Sequence, residues 1–200
     1  TGGSPLVPNF SGIEELRPDI LTSENLWEIK ELPQKLVVLG AGPIGSEMAQ
    51  AFARLGSEVT IVDMADRLLA REDEDASDII KQSFLKDGVK LKLNSKISSF
   101  HKKDSANYLV VETENGEEEI AFDKCICALG RKANTKGFGA EELGIELNEK
   151  GTIRTNDKLQ TNFPNIYAVG DVAGPYQFTH TASHMAWYAS VNALFFNRFK

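Results

Sequence analysis

The stretch Leu36-Val37-Val38-Leu39-Gly40-Ala41-Gly42-Pro43-Ile44-Gly45 decides how the chain is read. Four consecutive apolar residues suit a parallel strand covered on both faces, and a G-x-G-x-x-G turn follows without a gap. A helix is predicted over residues 43–55, with Ile44, Met48, Phe52 and Leu55 on one stripe. Pro43 suits the first helical position, where no amide donor is needed, and Gly56 suits the far cap. Val59-Thr60-Ile61-Val62 then reads as a second buried strand, with Asp63 at its end.

Each part of this unit has a chemical task. Gly40 allows a tight turn, Gly42 lets a pyrophosphate approach the backbone, and Gly45 lets the helix pack closely on the strand. The helix N-terminus offers free amides and the positive end of a dipole to phosphates. Asp63 lies 18 residues past Gly45, near the ~20 expected of the residue that accepts hydrogen bonds from a ribose diol. A glycine turn with no ligand is the plain alternative. A carboxylate at 63 repels the 2′-phosphate of NADP, and neither Met64 nor Ala65 is basic, so NAD is favoured. Arg67 is close enough to keep NADP open.

Outward from this unit, residues 1–30 are rich in turn formers, with a short helix expected over 23–31 before Pro33. Arg71-Glu72-Asp73-Glu74-Asp75 reads as a solvated loop feeding a helix over 76–86, whose dipole suits the carboxylates. That helix is expected to present Ile79, Ile80 and Phe84 to the core. Val89, Leu91 and Leu93 alternate as a strand. From 95 to 122 the period stays at two, and Asn115-Gly116 signals a hairpin between 108–114 and 117–122. Cys125-Ile126-Cys127-Ala128-Leu129 is another apolar strand, Ile166-Tyr167-Ala168-Val169 a short buried one, and a last helix is expected over 179–196. The fold class expected is α/β: a Rossmann-like dinucleotide-binding fold with a parallel sheet, flanking helices and an antiparallel β-meander crossover.

The chain has 200 residues and a net charge of −7, which argues against a protein held on nucleic acid or anionic lipid by charge. No apolar run approaches the ~18 residues of a membrane span. No signal peptide is visible and the chain opens on Thr1, so a fragment of a cytoplasmic protein is expected. Cys125 and Cys127 share one strand face as small core groups; a redox pair or half a metal site is the sharper alternative. His180 and His184 stand one helical turn apart, but Thr181 replaces the Glu a zincin needs, and no metal site is expected. Trp187, Tyr188, Phe195 and Phe196 are expected to pack against the domain, some remaining exposed where further domains dock.

Three ordered motifs carry a wider likeness: residues 40–47, then Ala128-Leu129-Gly130-Arg131, then Asn165-Ile166-Tyr167-Ala168-Val169-Gly170-Asp171. With Thr1-Gly2-Gly3 and Lys92-Leu93-Asn94-Ser95-Lys96-Ile97, the chain resembles the FAD-dependent pyridine nucleotide-disulfide oxidoreductases, the family of dihydrolipoamide dehydrogenase and mercuric reductase. The resemblance implies that Gly40, Ala41, Gly42, Pro43, Ile44, Gly45 and Glu47 bind NAD. Within that stretch, the resemblance places Ile44 and Glu47 toward the nicotinamide. Asp63 would hold the adenosine ribose, Ile97 would touch the adenine side and Gly130 would pass close to the dinucleotide. Toward FAD it implies Thr1, Gly2 and Asp171, with Gln177, Phe178, Thr179 and His180 beside the flavin.

The same resemblance implies that the first FAD motif and a C-x4-C redox pair precede this stretch. A dimerisation domain with a His–Glu acid/base pair would follow it. Residues 1–32 would be the edge of an FAD domain and a linker, 33–130 the NAD(H) domain, and 131–200 a connection and the second part of the FAD domain. The expected function is the NAD(H)-binding portion of a homodimeric flavoprotein oxidoreductase that passes hydride between NAD(H) and FAD and on to a disulfide or other acceptor. No catalytic residue is assigned in this portion, and the fragment alone is expected to be inactive. A non-catalytic dinucleotide-binding or sensing module is the alternative.

Overall fold

Alternation along one buried strand organises the larger part of the molecule. In the computed structural model, which describes residues 1–195, strand β3 (Lys35–Leu39) sends Leu36 and Val38 to one core and Val37 and Leu39 to another. Strand side chains point to opposite faces in turn, so both faces of this strand are covered. The chain divides into two compact units: Pro5–Gly130, and Thr1–Ser4 together with the chain from Arg131 onward.

The strands of the first unit are β2 (Ile20–Leu21), β3, β4 (Glu58–Val62), β5 (Lys90–Lys92), the meander β6 (Lys96–Lys103), β7 (Ala106–Thr113) and β8 (Gly116–Phe122), and β9 (Lys124–Cys127). The main sheet runs β2-β9-β3-β4-β5, every pair parallel. Helices α1 (Pro43–Leu55) and α2 (Glu74–Lys86) cover one face, where Phe52 and Phe84 join Leu36, Val38, Ile61 and Ile126. The antiparallel meander β6-β7-β8 covers the other with Phe100, Leu109, Val111 and Phe122. Burying each such large side chain contributes about 1.5–3 kcal/mol.

Several expectations need correction. The inward stripe of α1 is Gly45, Ser46, Ala49 and Phe52, whereas Ile44 and Leu55 are exposed. Small residues win because they let the helix axis come close to the sheet. Ile79 of α2 is 70% exposed; of the three apolar residues expected to face the core, Ile80 and Phe84 do so. Residues 23–31 hold no α-helix, only a 3-10 turn at Leu26–Glu28, and the Asn25 side chain accepts from the Thr22 N–H at 2.6 Å instead of leaving the backbone to helical bonds. The second hairpin turns at Glu114-Asn115, one residue early, since Thr113 pairs with Gly116. Residues 5–32 pack within the first unit through buried Ile13, Leu16, Ile20 and Leu21.

Cys125 and Cys127 are free, buried and on the meander-facing side of β9. Burial pushes both thiols up, Cys125 well above the ordinary range with help from the neighbouring sulfur. The native state therefore keeps protons that the unfolded chain releases above about pH 8.5. Stability is complete below that pH and falls as pH rises beyond it, by up to about 1.4 kcal/mol per pH unit and thiol. Urea midpoints at pH 8 and pH 10 test this, and Cys125→Ala should flatten the decline. An unchanged slope in that variant would contradict it.

The second unit pairs β1 (Gly3–Pro5) with β10 (Arg131–Ala133) and adds helix α3 (Thr179–Leu194). Its core is small: Ile153, Ala168, Val172 and Ala173. Residues 166–169 form no strand. Tyr167 makes an isolated antiparallel bridge to Gln160, flanked by hydrogen bonds from the Thr161 N–H to the Ile166 carbonyl and from the Ala168 N–H to the Leu159 carbonyl, a contact too short to count as a strand. Trp187 on α3 and Phe195 at its C-terminal cap are exposed, the indole standing edge-on to Tyr188 at 5.0 Å; Phe196 lies outside the described residues.

Candidate functional site

Reading across the sheet, β3, β4 and β5 follow one another on one side, and β9 enters on the other. The strand order thus reverses between β3 and β9, and open α/β sheets bind ligands outside the carboxyl ends of the strands at such a point. Here those ends carry the turn at 40–45 and the segment 128–130.

Two glycines of the turn are fixed by the protein itself. Gly40 has φ +99°, and a Cβ there would stand 2.6 Å from the Ala128 carbonyl oxygen. A Cβ on Gly45 would stand 1.9 Å from the Gly40 carbonyl oxygen. Gly42 differs: its backbone is extended (φ −73°, ψ −177°), and a Cβ would meet nothing within 4 Å. Gly42 caps α1 without any side-chain bond to the free amides, and Pro43, Ile44 and Glu47 are exposed beside it. Nothing in the first unit requires glycine at 42.

Asp63 closes the turn from β4. Its Oδ2 accepts from the Ala41 N–H at 2.5 Å and its Oδ1 from the Ala65 N–H at 2.7 Å. Each carboxylate oxygen retains a further lone pair for a hydroxyl donor. Nearby, Arg67 Nη2 donates to the carbonyls of Ala70 and Glu72 at 3.2 and 3.3 Å. Ile97 starts the meander close to Asp63, whose carbonyl accepts from the Ser95 N–H, but its side chain is half-buried against the meander core. Gly130 is exposed, and its carbonyl accepts from the Leu6 N–H at 2.9 Å. A cavity of about 400 Å³ beside Asp19, Lys35, Asn107 and Asp123 lies at the amino ends of the strands, away from this turn.

In the second unit Thr1 meets the segment before Asp171, its hydroxyl donating to the Val169 carbonyl at 3.0 Å. Gly2 accepts from the Asn134 N–H at 3.1 Å. Asp171 sits on a 3-10 turn (Gly170–Val172) and pairs with Arg131 at 2.9 Å, both largely buried. Gln177, Phe178, Thr179 and His180 are exposed at the start of α3, with the His180 and Phe178 rings stacked at 5.4 Å. His184 stacks loosely on Tyr188. Among the described residues no group of three or more His, Cys, Asp or Glu could hold a metal ion, and no helix is long and apolar enough to cross a membrane.

Three neighbours of these sites were not singled out from sequence. Ser46 and Leu69 both donate to the Ala41 carbonyl, at 3.1 and 2.9 Å, and Arg131 holds Asp171. Ser46 and Arg131 stand in motifs with a functional implication, but neither was given a role there. Leu69 signals nothing by residue type.

The architecture is therefore Rossmann-like, with a glycine turn at the switch point of a parallel sheet and an acidic residue at the end of the next strand. A family model described as "Pyridine nucleotide-disulphide oxidoreductase" matches residues 1–186, and the chain belongs to that family. It is 36% identical over 194 residues to a mercuric reductase of Staphylococcus aureus, covering 97% of this chain and 35% of that protein. To a dihydrolipoyl dehydrogenase of Chlamydia muridarum it is 34% identical, covering 96% and 40%. Among solved structures it resembles the Cu(II) complex of a mutant of the HOCl-induced flavoprotein disulfide reductase RclA of Escherichia coli. The TM-score is 0.91 at 33% identity, covering 100% of this chain and 44% of that one. It also resembles the water-forming NADH oxidase of Lactobacillus brevis bound to NADH, at TM-score 0.82 and 25% identity, covering 96% and 45%. The chain thus spans less than half the length of these relatives.

Proposed function

We propose that this chain is the NAD(H)-binding portion, with part of the FAD-binding portion, of a flavoprotein oxidoreductase. The observation that carries the reading is Gly42: the protein leaves space where its side chain would be, at an uncapped helix N-terminus on the switch point. A pyrophosphate is the ligand chemistry that uses such space, since it needs close backbone approach and amide donors. Gly40, Ala41, Gly42, Pro43, Ile44, Gly45 and Glu47 would form the dinucleotide shelf. Asp63 would accept from the ribose diol, with Ile97 and Gly130 at its margins. The first unit, around residues 33–130, would be the NAD(H) domain, to which residues 5–32 add packing.

Toward FAD, Thr1, Gly2 and Asp171 would sit at the sugar and phosphate part, with Gln177, Phe178, Thr179 and His180 beside the ring. Arg131 fixes the Asp171 carboxylate for that purpose. When bound, the two cofactors supply hydride transfer between themselves and onward to a disulfide or other acceptor; the residues of this chain bind and orient them. The chain by itself is then a binding module without turnover.

NAD is favoured over NADP because Asp63 would face the 2′ position and repel a phosphate there, while Arg67 spends its Nη2 on the Ala70 and Glu72 carbonyls. Calorimetric titration should show NADH binding at least about 10-fold tighter than NADPH, as expected for charge-assisted hydrogen bonds worth ~1.5–3 kcal/mol. Asp63→Ala should remove most of that preference. Absence of binding by either nucleotide at millimolar concentration would overturn the reading.

A further inference from the structure

We propose that the loop 66–72 is a brace that aims the glycine turn at its ligand, with Leu69 and Ser46 as positioning residues. The inference rests on the nucleotide reading above. In a trans peptide the carbonyl and the following N–H point in opposite directions. The Ala41 carbonyl is held inward by two donors, the Leu69 N–H at 2.9 Å and the Ser46 hydroxyl at 3.1 Å. The Gly42 N–H of the same peptide must therefore point away from Leu69 and Ser46. Among the described residues no backbone or side-chain group accepts from it. The brace also keeps the negative end of this peptide away from the place of a bound phosphate.

The loop is built for the task. Leu69 holds φ +48°, a conformation that side chains other than Asn, Asp and Gly rarely adopt, and strained backbone of this kind persists only where its surroundings enforce it. The surroundings are present: Leu68 is fully buried, its carbonyl accepts from the Ser77 hydroxyl at 2.6 Å, and Arg67 spans the loop to Ala70 and Glu72. The Glu72 N–H donates to the Leu69 carbonyl at 2.8 Å, closing the bend. Leu69 thus reaches the turn with its amide, and Asp63 holds the other side of Ala41.

Three variants test the brace. Ser46→Ala removes one donor; Leu69→Val disfavours positive φ and withdraws the other; Leu69→Asn keeps positive φ and with it the amide. NADH and ADP-ribose, which both carry a pyrophosphate, should each bind about 5-fold more weakly to Ser46→Ala, and by a larger factor to Leu69→Val. Leu69→Asn should restore most of the affinity. In ¹⁵N–¹H spectra the Gly42 amide should shift on adding NADH to the wild type, and shift less in Ser46→Ala and Leu69→Val. Unchanged affinities and an unchanged Gly42 shift in folded Ser46→Ala and Leu69→Val would overturn the brace alone. A wild type that binds neither ligand would bring down the nucleotide reading and the brace with it.

Discussion

Gly42→Ala should leave the chain folded and cost it about 100-fold in NADH affinity, roughly 2.7 kcal/mol. The backbone at 42 is extended and precedes a proline, a conformation alanine adopts freely. The added methyl meets nothing in the protein. Alanine is a poorer helix cap than glycine by a few tenths of a kcal/mol or more, and its smaller unfolded-state entropy offsets about as much. The melting midpoint should therefore stay within about 3 °C, while the methyl would occupy the ground proposed for the pyrophosphate. Calorimetry alongside a thermal melt separates the two effects. Wild-type affinity in the variant would mean that the open space at Gly42 has no ligand to receive.

Gly45→Ala should do the reverse of this, damaging the fold first. Its methyl carbon would stand 1.9 Å from the Gly40 carbonyl oxygen and 3.0 Å from the carbon that bears it. Both are backbone atoms at the tightest point of the turn, so no side chain can swing aside. Either α1 moves off the sheet, loosening Ala49 and Phe52 from the core they share with Leu36 and Val38, or the turn opens. Overpacking of this kind costs about 3 kcal/mol or more, and the melting midpoint should drop by roughly 10 °C. A variant as stable as the wild type would show that the helix does not approach the strand this closely.

Much of this was readable from residues alone where a local signal coincides with a local cause. Helix α1 begins at Pro43 and ends before Gly56 as the two caps require, and Asp63 stands where the second strand stops. What failed depended on distance in the chain. Ile44, Leu55 and Ile79 are apolar at helical spacing, but which stripe turns inward is decided by how closely the sheet lets each helix approach. Residues 166–169 have the composition of a strand, but their antiparallel contact with residues 159–161 is only a bridge long. The turn Asp104-Ser105, with both residues at positive φ, carries no glycine to announce it. At the site, the position of Asp63 was legible. Its grip on Ala41 was not, because hydrogen bonds between a strand end and a remote turn leave no mark on residue type.

The two units differ in how the chain is shared between them. The first, Pro5–Gly130, is an uninterrupted stretch, while the second joins Thr1–Ser4 to residues that begin at Arg131. During synthesis from the N-terminus, the uninterrupted unit can fold once it has left the ribosome, and domains fold as units in this order. The pairing of β1 with β10, by contrast, must wait until the whole intervening unit has been made. Folding the inserted unit first brings Pro5 and Gly130 to fixed places and shortens the loop the host must close, whose entropic cost grows with its length. The glycine turn at 40–45 would then exist before its host is complete, and the order of assembly would be written into the order of the chain.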